Sequence, residues 1–95
     1  MSAQPDVKVS QESEGGYRVE VRGSGATTSH VVSVPAGFAT ELGWGRKSEA
    51  ELVRESFAFL LEREPPSSIL RSFSLDVIGR YFPEYPAEIA SRLPR

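Results

Sequence analysis

The chain has 95 residues, which is enough for one small domain with a thin hydrophobic core. It contains no cysteine, so disulfides, thiol chemistry and thiolate metal sites are excluded, as suits a reducing cytoplasm. A net charge of −2 argues against a surface that binds polyanions throughout, and no apolar run is long enough to cross a bilayer. We therefore expect a cytoplasmic protein without membrane association, with a disordered tail at residues 1–5 and a single domain at residues 6–95.

Residues 6–34 have the pattern of three β-strands. Residues 6–12 alternate two valines with polar side chains, residues 17–22 alternate tyrosine and valines with charged side chains, and residues 27–34 form the third segment. A period of two is typical of a strand with one buried face. Glycine-containing turns separate the segments, and short connections join antiparallel neighbours. The sequence therefore predicts a three-stranded antiparallel meander.

The chain becomes helical after Pro35. Proline suits the first position of a short helix, in which Phe38 and Leu42 lie four residues apart on one face. Gly43 is typical of the left-handed residue that ends a helix. We expect Trp44, one position later, to fold back onto the final turn.

The clearest helix is predicted at residues 48–63. It opens with Ser48 and Glu51 in the spacing of a capping box, where each side chain satisfies a free backbone N–H. Its apolar residues cover roughly half of the helix circumference, which is more than one sheet face needs. The stripe therefore predicts a second contact, made either by the C-terminal helices of the chain or by another copy of the chain.

Two consecutive prolines, Pro65 and Pro66, end this helix. Short helices are expected at residues 68–73 and 75–82, followed by an amphipathic turn or two at residues 86–93. The predicted fold is α+β: an N-terminal three-stranded antiparallel meander at residues 6–34, a helical hairpin with one long helix at residues 35–64, and short C-terminal helices at residues 65–95.

Candidate catalytic groups are few. His30 is the only histidine, and its position in the third strand places it on the core side, without a paired partner in the sequence. No spacing resembles a metal or haem motif, and the glycine-rich segments connect strands, so they do not begin a phosphate-binding helix. We expect no catalytic residue, no metal and no cofactor, and hence no enzyme.

Aromatic residues supply the candidate contacts to a partner. Trp44 follows a glycine, and Tyr81, Phe82 and Tyr85 lie in a proline-rich stretch near the C-terminus. Aromatic side chains are enriched in binding hot spots. The same residues are also large enough to complete a small core, so both roles stay open: partner-binding surface, or core of the domain.

Three segments of the chain resemble a group of short bacterial proteins of unassigned function. These segments are residues 53–65, residues 68–73 and residues 81–85. The resemblance covers nearly the whole chain and implies a bacterial context, without an activity.

A second resemblance is local and covers residues 30–64. The order strand, proline, short helix, basic glycine-containing loop and serine-capped helix is similar to the ribbon-helix-helix regulators and antitoxins. In that family the outward strand residues read bases and the start of the second helix contacts phosphate. The resemblance implies base contacts from Ser29, Val31 and Ser33, and phosphate contacts near the second helix from Arg46, Lys47 and Ser48.

The sequence therefore favours a small intracellular regulatory or adaptor protein that acts by contact with another protein, for example as an antitoxin does. A second copy of the chain is one candidate partner, which would make the protein a homodimer. The alternative is a ribbon-helix-helix-like transcriptional regulator whose partner is DNA.

Overall fold

The computed structural model describes residues 6–23, 26–44 and 49–92. It contains a four-stranded mixed sheet, three strands of which come from the first part of the chain. β1 (Asp6–Ser13), β2 (Gly16–Gly23) and β3 (Ala26–Ser33) are antiparallel neighbours, which confirms the predicted meander. Gly15 makes the first turn with a φ of 74°, a conformation that favours glycine. The predicted tail at residues 1–5 lies outside the described residues.

The fourth strand was not predicted. β4 (Ser72–Ser74) runs parallel to β3, and the order across the sheet is β1-β2-β3-β4. The helix expected at residues 68–73 is wrong: a 3₁₀ turn at Pro66–Ser68 leads into extended chain. The edge of β3 offers backbone hydrogen-bond partners, and the Val31 N–H donates to the Arg71 carbonyl over 2.7 Å. That pairing outweighs the weak local preference for helix.

The two faces of the sheet differ as the alternation predicts. Side chains at every second position are buried on the inner face, among them Val19, Val21 and Val32. The intervening positions, including Arg18 and Glu20, are exposed. His30 lies on the inner face with 1% of its surface exposed, as its position in the strand predicts.

α1 (Phe38–Glu41) is a short helix that ends as predicted. Gly43 takes a φ of 85°, and the Trp44 N–H donates to the Ala39 carbonyl over 2.7 Å. A left-handed glycine after the last turn lets the chain reverse and satisfies carbonyls that the helix leaves free. Trp44 is thereby directed back into the core.

α2 (Glu49–Leu61) has 13 residues, fewer than predicted. Its buried side chains include Leu52, Val53, Phe57 and Phe59. It packs against β1 and β2 on one side and against α4 (Tyr85–Ser91) on the other. The second contact predicted from the wide apolar stripe is therefore made by a C-terminal helix of the same chain, which is the first of the two alternatives given above. Ser48, the predicted cap, lies outside the described residues.

The C-terminal part is built from short helical pieces. A 3₁₀ turn at Leu75–Val77 continues into α3 (Ile78–Tyr81), and α4 follows. α3 and α4 confirm the helical segments that the sequence predicts at residues 75–82 and 86–93. Among the residues that the structure describes, no helix has the length and apolar character needed to cross a membrane.

Candidate protein-binding groove

An apolar groove lies between the C-terminal end of α2, the segment around β4 and α3. Its volume is about 170 Å³, and it is open to solvent on one side. Its lining combines buried aliphatic residues with half-buried and exposed apolar residues, and Glu64 and Ser68 add polar groups. The apolar lining residues are Leu60, Ile69, Leu70, Phe73, Val77, Ile78, Tyr81 and Phe82.

Two side chains of the groove are unusually exposed for their type. Leu70 exposes 51% of its surface and Tyr81 exposes 68%. Only one other large apolar side chain in the described part of the chain is comparably exposed, Val31 on the outer face of the sheet at 44%. Single exposed apolar residues are ordinary, but two of them beside one apolar cavity indicate a contact surface.

The Phe82 side of the groove is held firmly. The Phe82 ring meets the Phe59 ring edge-on at a centroid distance of 5.8 Å. The Arg63 guanidinium lies 3.8 Å from the Phe59 ring centroid and its Nε donates to the Glu84 carboxylate over 3.2 Å. Cation–π and edge-to-face contacts both restrict the rings. The exposed Tyr81 side chain is therefore adjacent in sequence to a residue, Phe82, whose ring is held in place by its contact with Phe59.

The Leu70 side of the groove is tied to the sheet by His30. The His30 Nδ1 lies 2.8 Å from the Leu70 carbonyl, and its Nε2 lies 2.9 Å from the Thr28 hydroxyl. Because a carbonyl only accepts, Nδ1 carries the proton and Nε2 accepts from Thr28 in the neutral ring. The ring also packs against Phe57, with centroids 5.3 Å apart. His30 thus has a structural role: it positions the segment that carries Leu70.

Two of the four aromatic candidates are not available to a partner. Trp44 and Tyr85 each expose 0% of their surface, so the structure places both side chains in the core and not on a surface that a partner could reach. The Trp44 indole N–H donates to the Ile89 carbonyl over 3.1 Å, and the Tyr85 hydroxyl lies 2.7 Å from the Ser56 hydroxyl. Their polar atoms find partners inside the domain, which allows complete burial. Tyr81 and Phe82 remain candidates, and the structure brings both to the groove.

Burial also changes the acidity of Tyr85. Desolvation raises the pKa of its phenol from 10.0 to about 12. The Ser56 hydroxyl in turn lies 2.7 Å from the Leu52 carbonyl, to which it donates. This chain of hydrogen bonds joins α4 to α2 behind the groove.

The base-reading candidates lie elsewhere, on the outer face of the sheet. Ser29, Val31 and Ser33 are exposed there, and Val31 and Ser33 belong to a part of β3 that is paired with β2 on one side and with β4 on the other. Within this sheet that part of β3 has no free edge for a ribbon formed with a second chain. Arg46, Lys47 and Ser48 lie outside the described residues.

The size and lining of the groove suit a side chain better than a substrate. Pockets for small molecules usually measure about 300–1,000 Å³, whereas an apolar cavity of about 150 Å³ accommodates a benzene-sized group. Within residues 6–23, 26–44 and 49–92, no group of three or more histidine, aspartate and glutamate side chains is arranged to hold a metal ion.

Sequence reasoning found Tyr81 and Phe82 but missed Leu70 and Phe73. Both belong to the segment that was expected to be helical, and the groove depends on its being extended. Comparisons with protein-family models, curated proteins and solved structures found no match to this chain.

Proposed function

We propose that this protein is a small non-enzymatic regulatory or adaptor protein that binds another protein through the groove. The observation that carries the proposal is the exposure of Leu70 and Tyr81 beside an apolar cavity. Full burial of a large apolar side chain is worth about 1.5–3 kcal/mol, and since roughly half to two thirds of Leu70 and Tyr81 faces water, covering them is worth roughly 1–2 kcal/mol each. A partner that covers them recovers that free energy on binding.

The proposed occupant is a segment of the partner that inserts one aromatic or branched aliphatic side chain. The cavity of about 170 Å³ is sized for one such group. Tyr81 and Leu70 would then close over the inserted side chain from opposite sides, while Glu64 and Ser68 supply hydrogen-bonding groups to the partner's backbone or polar side chains. An apolar centre with a polar rim is the usual anatomy of a protein interface.

The test uses two groove variants, Leu70→Asp and Tyr81→Asp, with Val31→Asp as matched control. All three replace an exposed apolar side chain by a carboxylate, but Val31 is not among the residues that line the groove. The tagged proteins are used to capture partners from a lysate of the organism that encodes the protein. Bound species are identified by mass spectrometry and by nuclease-sensitive absorbance at 260 nm.

We expect one stoichiometric protein partner that Val31→Asp retains and that both groove variants lose. A carboxylate forced into an apolar contact costs several kcal/mol, so binding should fall at least about 100-fold. Circular dichroism and thermal melts establish that all three variants remain folded. Retention of the partner by both folded groove variants would refute the proposal, as would capture of nucleic acid alone, sensitive to nuclease and to salt.

A further inference from the structure

We propose that two copies of this chain pair through the free edges of β1 and form a continuous eight-stranded sheet. β1 has eight residues, and within the part of the chain that the structure describes it pairs with β2 alone and lies at the edge of the sheet. It pairs regularly with β2 from Asp6 to Gln11, and the register shifts only after Gln11. In an antiparallel ladder every second residue directs its N–H and C=O away from its neighbour, so a long edge strand is a template for another strand.

Among the registers that pair at least five residues of each β1, the charges along the strand favour one. We place α2 of both copies on the same side of the sheet. The twofold axis is then perpendicular to the sheet and lies midway between the two copies of one β1 residue, and residues opposite each other share a face. Each register is named here by that central residue. An axis at Lys8 sets lysine against lysine. An axis at Val9 sets Asp6 against Glu12. An axis at Ser10 sets Lys8 of each copy against Glu12 of the other, which gives two pairs of opposite charge.

The side chains of Lys8 and Glu12 lie on the same, outer face. Lys8 is paired with Glu20 and Ser10 with Arg18, and all four are exposed. The Glu12 carboxylate accepts a hydrogen bond from the Arg18 Nε over 2.8 Å, which places it on that face as well. Cross-strand pairs of opposite charge stabilise a sheet, and like charges directly opposite destabilise it.

The position of α2 supports the same arrangement. α2 packs across β1 and β2, so its axis lies close to the edge. Strands are spaced by about 4.8 Å, and a helix centred over β1 and β2 would therefore lie about 10 Å from its copy, the distance at which helices pack. A depression beside the edge, with Val7, Ala58 and Leu61 in its lining and Arg54 and Glu55 among its charged residues, would face the second α2.

A single cysteine tests the register directly because the chain has none of its own. In the proposed dimer, Ser10 lies opposite its own copy at a Cα separation of about 4.5–5.5 Å, within the range of a disulfide. Ser10→Cys should oxidise to a covalent dimer at micromolar concentration. The control, Ser29→Cys, has an exposed cysteine on β3, two strands away from the β1 edge, and should stay largely monomeric under the same conditions.

Charge reversal supplies a second, independent measurement. Lys8→Glu alone and Glu12→Lys alone each place like charges opposite one another twice, and we expect the dimer dissociation constant to rise about tenfold or more. When the two variant chains are mixed, both positions again carry opposite charges, and the heterodimer should recover the original affinity. A variant that failed to fold would not be rescued by mixing.

The proposal is independent of the groove, because Leu70→Asp and Tyr81→Asp should leave this dimer unchanged. Sedimentation equilibrium measures the association constants. A strictly monomeric mass at millimolar concentration would overturn the proposal. So would equal crosslinking of Ser10→Cys and Ser29→Cys, or a dimer that neither charge reversal weakens.

Discussion

Replacing Trp44 with alanine is expected to lower the free energy of unfolding by about 3–5 kcal/mol. The indole is completely buried, and it joins the turn after α1 to the C-terminal end of α4 through the hydrogen bond to the Ile89 carbonyl. Small domains have only about 5–15 kcal/mol of stability, so the variant should be marginally folded at 37 °C. Chemical denaturation followed by circular dichroism measures the loss.

Trp44→Phe is the matched control for this prediction. It keeps an aromatic ring but removes the N–H donor and part of the volume. The Ile89 carbonyl also accepts the Arg92 N–H over 3.1 Å, so it is not left without a donor. We expect a cost of about 1–3 kcal/mol, well below that of alanine. A loss under 1 kcal/mol for Trp44→Ala would contradict the burial of this side chain and restore it as a candidate for partner contact.

Local patterns were sufficient to predict the elements whose shape is decided nearby in the sequence. Alternation identified the three strands and placed His30 on the inner face, because a period of two allows only two sides. Gly43 marked the end of α1 because few other residues adopt a positive φ without strain. These predictions depended on a few consecutive residues and on no distant contact.

The groove could not be predicted in the same way, because it is made by distant parts of the chain. β4 is only three residues long and exists because β3 offers an edge, and the hydrogen bond from His30 to Leu70 spans 40 positions. Periodicity at residues 68–73 is compatible with a short helix, and it carries no information about that edge. The burial of Tyr85 and the exposure of Tyr81, four positions apart, likewise depend on where α4 packs.

Between pH 10 and pH 12 we expect Tyr85 to make the protein less stable as pH rises. Burial raises the pKa of its phenol to about 12 in the folded state, whereas an unfolded tyrosine ionises near pH 10. Below pH 10 the phenol is neutral in both states and its contribution to stability is complete. Above pH 10 the unfolded state loses its proton first. The free energy of unfolding therefore falls by about 1.4 kcal/mol per pH unit, and by about 2–3 kcal/mol in total.

Tyr85→Phe should remove this part of the pH dependence and invert the order of stability. At pH 8 the variant loses the hydrogen bond with Ser56 and should be about 1 kcal/mol less stable than the original protein. The Ser56 hydroxyl still donates to the Leu52 carbonyl, so no buried donor is left unpaired. By pH 12 the original protein has lost about 2–3 kcal/mol more than the variant, and the two stability curves should have crossed.

Tyr17, whose pKa is also raised to about 12 by desolvation and by its hydrogen bond to Glu49, contributes equally to both proteins and cancels from the difference. Urea titrations at intervals of half a pH unit measure the two curves, and parallel curves from pH 8 to pH 12 would show that the Tyr85 phenol is accessible to solvent in the folded protein.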